Sequence, residues 1–258
     1  MRKFLLFAFL LLGSSWQYAS AQSWDVGGFV GSSGYMGDIN PTRPYKFTDL
    51  AVGAQVKRNF DGYWSAKLNL MHGKIQGDDA LSPNEQQRDR NLSFYSAITE
   101  ATAQVEFNFF KYQASVFRKY SPYLFTGVGG VMFNPKAEFQ GSERTLRDLK
   151  TEGQEHKYDP IAITVPYGAG IKYNITGNWN LIGEIGYRTV FTDYLDDVSQ
   201  RYPGPNFSTD PVAQALSDPS IGRIGAPGTQ RGDFRKHDTY MFVGLSLTFT
   251  FVSDKCYY

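Results

Sequence analysis

The feature that most constrains the fold of this chain is an alternation of apolar with polar or small residues at a period of two. In the clearest run, every odd-numbered residue from 241 to 251 is apolar, whereas the even-numbered residues from 244 to 250 are glycine, serine or threonine. A period of two places alternate side chains on opposite faces of a β-strand. Seven earlier segments are strand-like too, so we expect eight strands. The seven lie at 24–36, 50–57, 64–70, 100–109, 122–133, 163–173 and 180–188.

The connections between these strands alternate between shorter and longer. The shorter ones lie at 59–62, 110–121 and 174–178, and the first and last of these carry Asp-Gly or Gly-Asn turn dipeptides. The four longer ones are polar and lie at 37–49, 74–95, 134–159 and 193–237. This alternation is typical of outer-membrane barrels, which have short periplasmic turns and longer extracellular loops.

The charges within the strands favour a membrane barrel over a soluble, lipocalin-like barrel. A soluble barrel turns its apolar face inward and its charges outward. Here the polar face carries small residues together with Lys67, Glu100, Glu184 and Arg188, as suits a crowded, ion-paired interior. Aromatic residues also concentrate near both ends of the strands, as in interfacial girdles. We therefore predict an all-β fold, an eight-stranded antiparallel transmembrane β-barrel with four long extracellular loops and short periplasmic turns.

An eight-stranded barrel constrains function because side chains fill its interior. No wide diffusion pore is expected. Lys67, Glu100, Glu184 and Arg188 are interpreted as a structural network of paired charges, with a proton or ion path as the alternative.

The first 21 residues have the pattern of a signal peptide. Arg2 and Lys3 form a positive region, an apolar run follows, and the segment 19–21 is an Ala-Ser-Ala cleavage site. We expect cleavage after residue 21, a mature barrel domain over 22–258, and a location in the Gram-negative outer membrane with both termini periplasmic. The near-neutral charge of +1 does not indicate nucleic-acid binding.

Residues that could carry catalysis are few. Acidic or Asp/His pairs at the loop ends, namely Asp78–Asp79, Asp196–Asp197 and His237–Asp238, superficially resemble the pairs of omptin-type proteases. Omptins, however, need ten strands and a deeper cleft. No Cys/His cluster has zinc spacing. We expect no enzymatic activity, no metal and no cofactor.

Three strings of residues go beyond a generic barrel pattern. They are Tyr35 to Asn40 (YMGDIN), a pair of stretches at 88–94 and 98–100, and a pair at 184–188 and 191–199 that includes TDYLDDVS. In this order, in a chain of this size, they resemble the PorG family, the small outer-membrane barrels of the type IX secretion system of Bacteroidota. The resemblance spans nearly the whole mature chain.

The resemblance implies an accessory barrel and not the translocation pore. PorG-like proteins associate with a periplasmic ring made of the lipoprotein PorK and its partner PorN. Contact would fall at the short-turn end and the tail, where the candidate residues are Lys111, Arg118, Lys119, Tyr120 and Cys256. Cys256 is the single cysteine, so it is either free or joined to a partner in a mixed disulfide.

Four residues of the family-like strings stand out by charge: Asp38, Arg90, Arg188 and Asp193. We interpret them as rim charges that pair and pin the loops. Two other functions stay open. One is a general small barrel with a structural or adhesin role, with loop charges facing lipopolysaccharide. The other is an omptin-like hydrolase at the rim.

Overall fold

The fold was examined in a computed structural model that describes residues 23–41, 43, 46–112, 119–233 and 235–252. The expected signal peptide, Arg118 and Cys256 lie outside the described residues. The side chains of Thr48 and Val252 are not described either.

Eight long antiparallel strands form a closed barrel, as predicted. Each pairs with its neighbours in the order β4-β3-β2-β1-β9-β8-β7-β5, and pairing of β4 with β5 closes the ring. A short ninth strand, β6, pairs only with β5 and extends it as a hairpin outside the barrel. The strands are β1 (Ser23–Met36), β2 (Phe47–Asn59), β3 (Trp64–Asp78), β4 (Ser93–Asn108), β5 (Tyr120–Phe139), β6 (Ser142–Thr145), β7 (Ile161–Thr176), β8 (Trp179–Val190) and β9 (Thr239–Val252).

Several strands extend further than the alternation predicted. The largest extensions into expected loops are those of β3, which continues to Asp78, and of β5, which continues to Phe139, while β2 and β4 begin inside such segments at Phe47 and Ser93. The reason is that the apolar alternation ends where the outer face no longer meets lipid. Lys74, for example, points outward on β3 and lies 4.7 Å from the ring centroid of Tyr95. The pairing continues because backbone hydrogen bonds do not depend on an apolar face.

The two faces of the barrel wall differ as a membrane protein requires. Large apolar residues predominate on the outward face of the barrel, and Leu50, Leu68 and Ile163 are each at least 60% exposed. Exposed aromatic residues encircle the short-turn end, among them Trp24, Trp64, Phe109 and Trp179. A continuous apolar belt with an aromatic girdle is the outer surface of a transmembrane barrel.

The prediction of an aromatic girdle at the long-loop end, which included Phe94, Phe133 and Phe191, was partly wrong. Phe94 and Phe133 are only 3% and 1% exposed and belong to the hydrophobic core. Both share the inward parity of their strands, Phe94 with Ile98 and Phe133 with Val131, so they point into the barrel. Phe191 is exposed, as a girdle residue should be.

The long connections fold into a compact layer over one end of the barrel, here called the cap and defined as the described residues of 37–46, 79–92, 140–160 and 191–238. It contains a 3-10 turn (Asp79–Leu81) and three short helices, α1 (Glu85–Arg90), α2 (Leu146–Leu149) and α3 (Pro211–Ser217). None of the helices in the described part of the chain is long and apolar enough to cross a membrane. Leu146, Leu195 and Leu216 of the cap join the core that lines the upper barrel.

Candidate functional site

The half of the lumen nearer the short turns holds a network of buried ion pairs. Glu106 is its centre, with Nζ atoms of Lys172, Lys67 and Lys57 at 2.6, 3.2 and 3.7 Å from its carboxylate. Lys67 also contacts Glu184 at 2.7 Å, and Lys57 contacts Asp25 at 3.1 Å. Six of the eight barrel strands contribute these side chains from inward-facing positions, so one period-two pattern brings residues far apart in sequence into one layer.

A second pair lies closer to the cap. Arg188 Nε is 3.3 Å from Glu100, and the Arg188 guanidinium lies 4.7 Å from the ring centroid of Phe242. The Tyr240 hydroxyl donates a hydrogen bond to Glu100. Lys67 and Glu184 therefore pair with each other, as do Glu100 and Arg188, but these four predicted residues form two separate pairs and not one cluster.

The charges of the lumen balance. Four carboxylates (Asp25, Glu100, Glu106 and Glu184) face four cations (Lys57, Lys67, Lys172 and Arg188), and every one of these side chains is at least nine-tenths buried. Buried charges are tolerated when they are paired and hydrogen-bonded in this way. In the described part of the chain, these paired side chains therefore occupy the lumen.

Four members of the network, Asp25, Lys57, Glu106 and Lys172, were not predicted from the sequence. Three of them carried a usable signal, because Lys57, Glu106 and Lys172 lie on the polar parity of their predicted strands. Taking every charged residue of inward parity would have identified them. Asp25 gave no such sequence signal, because β1 is rich in glycine and its alternation is less regular.

Two arginines hold the cap together. Arg90 binds Asp79 through two bonds, Nε to Oδ2 at 2.7 Å and Nη2 to Oδ1 at 2.9 Å, and it also donates to the carbonyl oxygens of Arg231 and Asp38. Arg231 donates to Glu152 and to the carbonyl oxygen of Asp197. These bonds join all four long connections. Arg90 thus lies where a loop-pinning charge was expected, whereas no sequence signal pointed to Arg231.

Three buried aspartates of the cap, Asp38, Asp196 and Asp238, lie around the Tyr35 hydroxyl. Tyr35 donates a hydrogen bond to Asp196. A Cβ atom at Gly37 would overlap both the Tyr35 hydroxyl and Asp238 Oδ1, which places Asp238 in the same group. Each aspartate accepts a backbone N–H of the last connection: Asp38 from Asp233, Asp196 from Val198 and Asp238 from Leu195.

This group of aspartates has no matching set of cations. Among the described residues no ion pair joins Asp38, Asp196 or Asp238 to a lysine or arginine, and the nearby Arg90 is committed to Asp79. Burial, reinforced by the neighbouring carboxylates, raises the pKa of Asp38 and of Asp238 well above the usual range of a carboxyl group. Burial also raises the pKa of Asp196. Protons therefore neutralise part of this group.

Two further acids of the TDYLDDVS string shape the same layer. Burial raises the pKa of Asp193 to about 6, although Ser199 donates a hydrogen bond to it. Burial likewise raises the pKa of Asp197 to about 6, against the opposing effect of Arg231. Asp38 and Asp193 therefore lie in the cap and take no part in the lumen network. In the described part of the chain, no group of three or more Asp, Glu, His or Cys side chains is placed to hold a metal ion.

The residue pairs considered for hydrolysis have structural contacts. Asp79 is buried against Arg90, and Asp78 accepts the N–H of Ala80 at the start of the 3-10 turn. The His237 ring packs on Phe191 at 4.9 Å, while Asp238 is buried among the aspartates described above.

The short-turn end presents the described candidates for partner contact. Lys111 and Lys119 are exposed there, and Tyr120 is 52% exposed and packs edge-on against Phe110. The Tyr112 hydroxyl donates a hydrogen bond to Asn180 of β8 at 2.6 Å.

Comparison with known proteins gives one family and several similar folds. Residues 2–205 match the family described as Domain of unknown function (DUF6089). A search of curated proteins gave no match. Among solved structures, Ail of Yersinia pestis shares 9% identity at a TM-score of 0.43, with 90% of this chain and 100% of that chain covered. Outer membrane protein W of E. coli shares 12% at 0.39, with 91% and 100% covered. OprG from Pseudomonas aeruginosa shares 13% at 0.39, with 89% and 96% covered.

Proposed function

The chain belongs to the DUF6089 family, and we propose that it is a non-conducting outer-membrane barrel of the type IX secretion machinery. In this role the barrel anchors or organises the periplasmic ring of PorK and PorN and is not itself the translocation pore. The short-turn end faces the periplasm and the cap faces the exterior, following the usual orientation of outer-membrane barrels.

The observation that carries the proposal is the filled lumen. Four carboxylates and four cations close it from within, and the cap covers one end. A barrel that is closed in this way offers its two ends, not its interior, for function. An anchoring role needs only a stable membrane span and a binding surface at the periplasmic end.

The short-turn end offers a surface of suitable chemistry for such a contact. Exposed Lys111 and Lys119 lie near the half-exposed ring of Tyr120. Tyrosine and cationic side chains with accessible apolar portions are common in protein interfaces. The resemblance of the three sequence strings to PorG supports the identity of the partner.

The test is affinity purification of the tagged protein from mildly solubilised outer membranes, with mass spectrometry of the recovered proteins. We expect the ring lipoprotein and its partner to be recovered. A double variant, Lys111→Glu with Lys119→Glu, should lose both. The matched control, Lys157→Glu with Lys236→Glu in the cap, should retain them. Recovery of the barrel alone, under conditions that preserve other envelope complexes, contradicts the proposal.

Cys256 allows a sharper version of this test. If it forms a mixed disulfide with the ring lipoprotein, a non-reducing gel shows a band that disappears on reduction and in the Cys256→Ser variant. An unchanged partner pattern in that variant contradicts the disulfide while leaving the anchoring role to the charge-reversal test.

A surface-binding role is the second candidate, because the long connections form an ordered cap with its own hydrophobic core. An adhesin of this kind would lose its activity when the 193–237 connection is trimmed, while secretion would stay normal.

A further inference from the structure

A cavity of about 490 Å³ opens in the cap between helix α3, the 3-10 turn and the outer ends of β4 and β5. We propose that this cavity binds a small amphiphilic cation, with the apolar part of the ligand inside and its positive group at the mouth. This binding would be separate from the anchoring role, since the cavity lies at the opposite end of the barrel. Ligand pockets in proteins commonly have volumes of about 300–1,000 Å³.

The floor of the cavity is apolar and rigidly held. It is formed by Ile39, Leu92, Ala137, Leu146, Val198 and Leu216, all of which are buried members of the hydrophobic core. These residues come from all four long connections and the end of β5, so the floor exists only when the cap is assembled. An apolar group placed on this floor leaves water and contacts close-packed side chains.

The charged residues that line the cavity favour a ligand of positive charge. Asp78, Glu138, Asp196 and Asp218 line the cavity against only two guanidinium groups, those of Arg223 and Arg231. Arg231 is buried and already bound to Glu152, and it lies on the same cavity as the buried Asp196. Three acids, Asp78, Glu138 and Asp218, then face the single exposed guanidinium of Arg223, so the lining keeps a surplus of negative charge and a bound cation is favoured electrostatically.

The mouth contains an acid that the fold does not need. Asp78 and Asp218 accept backbone N–H groups, Asp78 from Ala80 and Asp218 from Ser220 and Gly225. Glu138 is exposed on β5 and lies directly across from Glu143 of β6. Glu143 is paired with Lys136 and accepts a hydrogen bond from Tyr95, whereas among the described residues no side-chain hydrogen bond or ion pair involves the Glu138 carboxylate. A bound cation would give Glu138 such a partner.

The test uses the full chain in lipid nanodiscs and three water-soluble probes that share one apolar body. These are 4-phenylbutylamine, 4-phenylbutanol and 4-phenylbutyrate, which are cationic, neutral and anionic, and binding is measured by calorimetry against empty nanodiscs. We expect saturable binding of one amine per chain, weaker binding of the alcohol and none of the carboxylate.

Three variants locate the binding. Glu138→Lys should weaken amine binding by about tenfold or more, whereas Glu155→Lys, an equal change of charge on the cap outside the cavity lining, should not. Ala215→Trp, on the partly exposed face of α3 that lines the cavity, should abolish binding by filling it.

Several results would overturn the proposal. These are the absence of saturable amine binding, equal binding of all three probes, or binding that persists unchanged in Ala215→Trp. Folding of each variant is checked by its mobility shift on gels run with and without heating. Because Glu138 is exposed on a hairpin, its substitution tests the proposal even if Ala215→Trp does not fold.

Discussion

The lumen and the cap each bury a group of carboxylates, and the two groups are neutralised in different ways. In the lumen, Glu106 alone has three lysine Nζ atoms within 3.7 Å. In the cap, Asp38, Asp196 and Asp238 lie close to one another and to Tyr35. The nearby Arg90 is paired with Asp79. Buried carboxyl groups are thus neutralised by cations in the lumen, and by protons with hydrogen bonds from backbone N–H groups in the cap.

This difference indicates which region of the molecule responds to pH and which does not. Ion pairs inside a closed wall of strands cannot separate without opening the barrel. Protonated carboxyls in loops depend on the external pH. We therefore expect the barrel to be insensitive to mild changes of pH and the cap to respond to them.

The largest expected effect comes from removing the centre of the lumen network. Glu106→Ala leaves Lys57, Lys67 and Lys172 buried with one anionic partner fewer. Loss of one member of a buried ion pair typically costs about 3–5 kcal/mol. The free energy of unfolding, measured by urea titration in lipid, should fall by about this amount. Glu155→Ala, an exposed acid of the cap, is the control, and an equal effect of the two substitutions would contradict the role of the network.

A slightly smaller and local effect is expected from Arg231→Met. The substitution removes the Arg231 hydrogen bonds to the carbonyl oxygens of Ser217 and Asp197, whereas Glu152 loses its cation but still accepts the backbone N–H groups of Ser199 and Gln200. Leaving a buried polar group unsatisfied costs about 1–3 kcal/mol. We expect the cap to become sensitive to protease while the barrel keeps its gel mobility shift. Arg223→Met, an exposed residue of the same connection, should leave the protease pattern unchanged.

The third effect is a pH dependence confined to the cap. The folded cap raises the pKa of Asp193 and of Asp197 to about 6 and of Asp38, Asp196 and Asp238 above normal, chiefly through burial. Groups that bind protons more tightly when folded stabilise the cap at low pH, and this stabilisation is lost as the pH rises through their folded pKa values. Amide hydrogen exchange corrected for intrinsic pH effects should therefore show weaker protection of 193–233 at pH 9 than at pH 5.

A matched pair of variants isolates this dependence. Asp196→Asn cannot ionise and still accepts a hydrogen bond from Tyr35, so it should make the pH dependence of the cap less steep while the other four acids still titrate. Asp159→Asn, at an exposed position of the cap, should leave the profile unchanged. Protection that increases as the pH rises would contradict the account.

The smallest effect is expected at an exposed ion pair. Lys157 and Asp148 lie 2.8 Å apart, but their side chains are 45% and 54% exposed. Such pairs contribute about 0–1 kcal/mol because water and salt screen them. Asp148→Ala should change the unfolding free energy by less than about 1 kcal/mol, and a loss comparable to that of Glu106→Ala would show that cap and lumen do not differ as described.

The barrel was predictable because a single rule, the parity of residues along a strand, decides what faces lipid and what faces the lumen. Lys67 and Glu184, 117 positions apart, meet because both are inward on predicted strands. The cap obeys no such rule. Asp38, Asp196 and Asp238 meet only because the first and last long connections fold over the same barrel mouth, and Arg231 gains its role from that packing alone. Phe94 lies at the boundary between the two regions, because its inward position follows only from the extension of β4 back to Ser93, in a segment expected to be a loop, and the cap that buries it was not predicted.

The most direct measurement of the central claim is the electrical conductance of purified protein in planar bilayers. If balanced charges close the lumen, the wild-type chain should give no stable conductance steps at neutral pH. Glu106→Ala, if it inserts, should give steps or noise as the network loosens. Stable, ohmic steps from the wild-type chain would contradict the account, because they would show that the lumen conducts ions and is not closed by the paired charges.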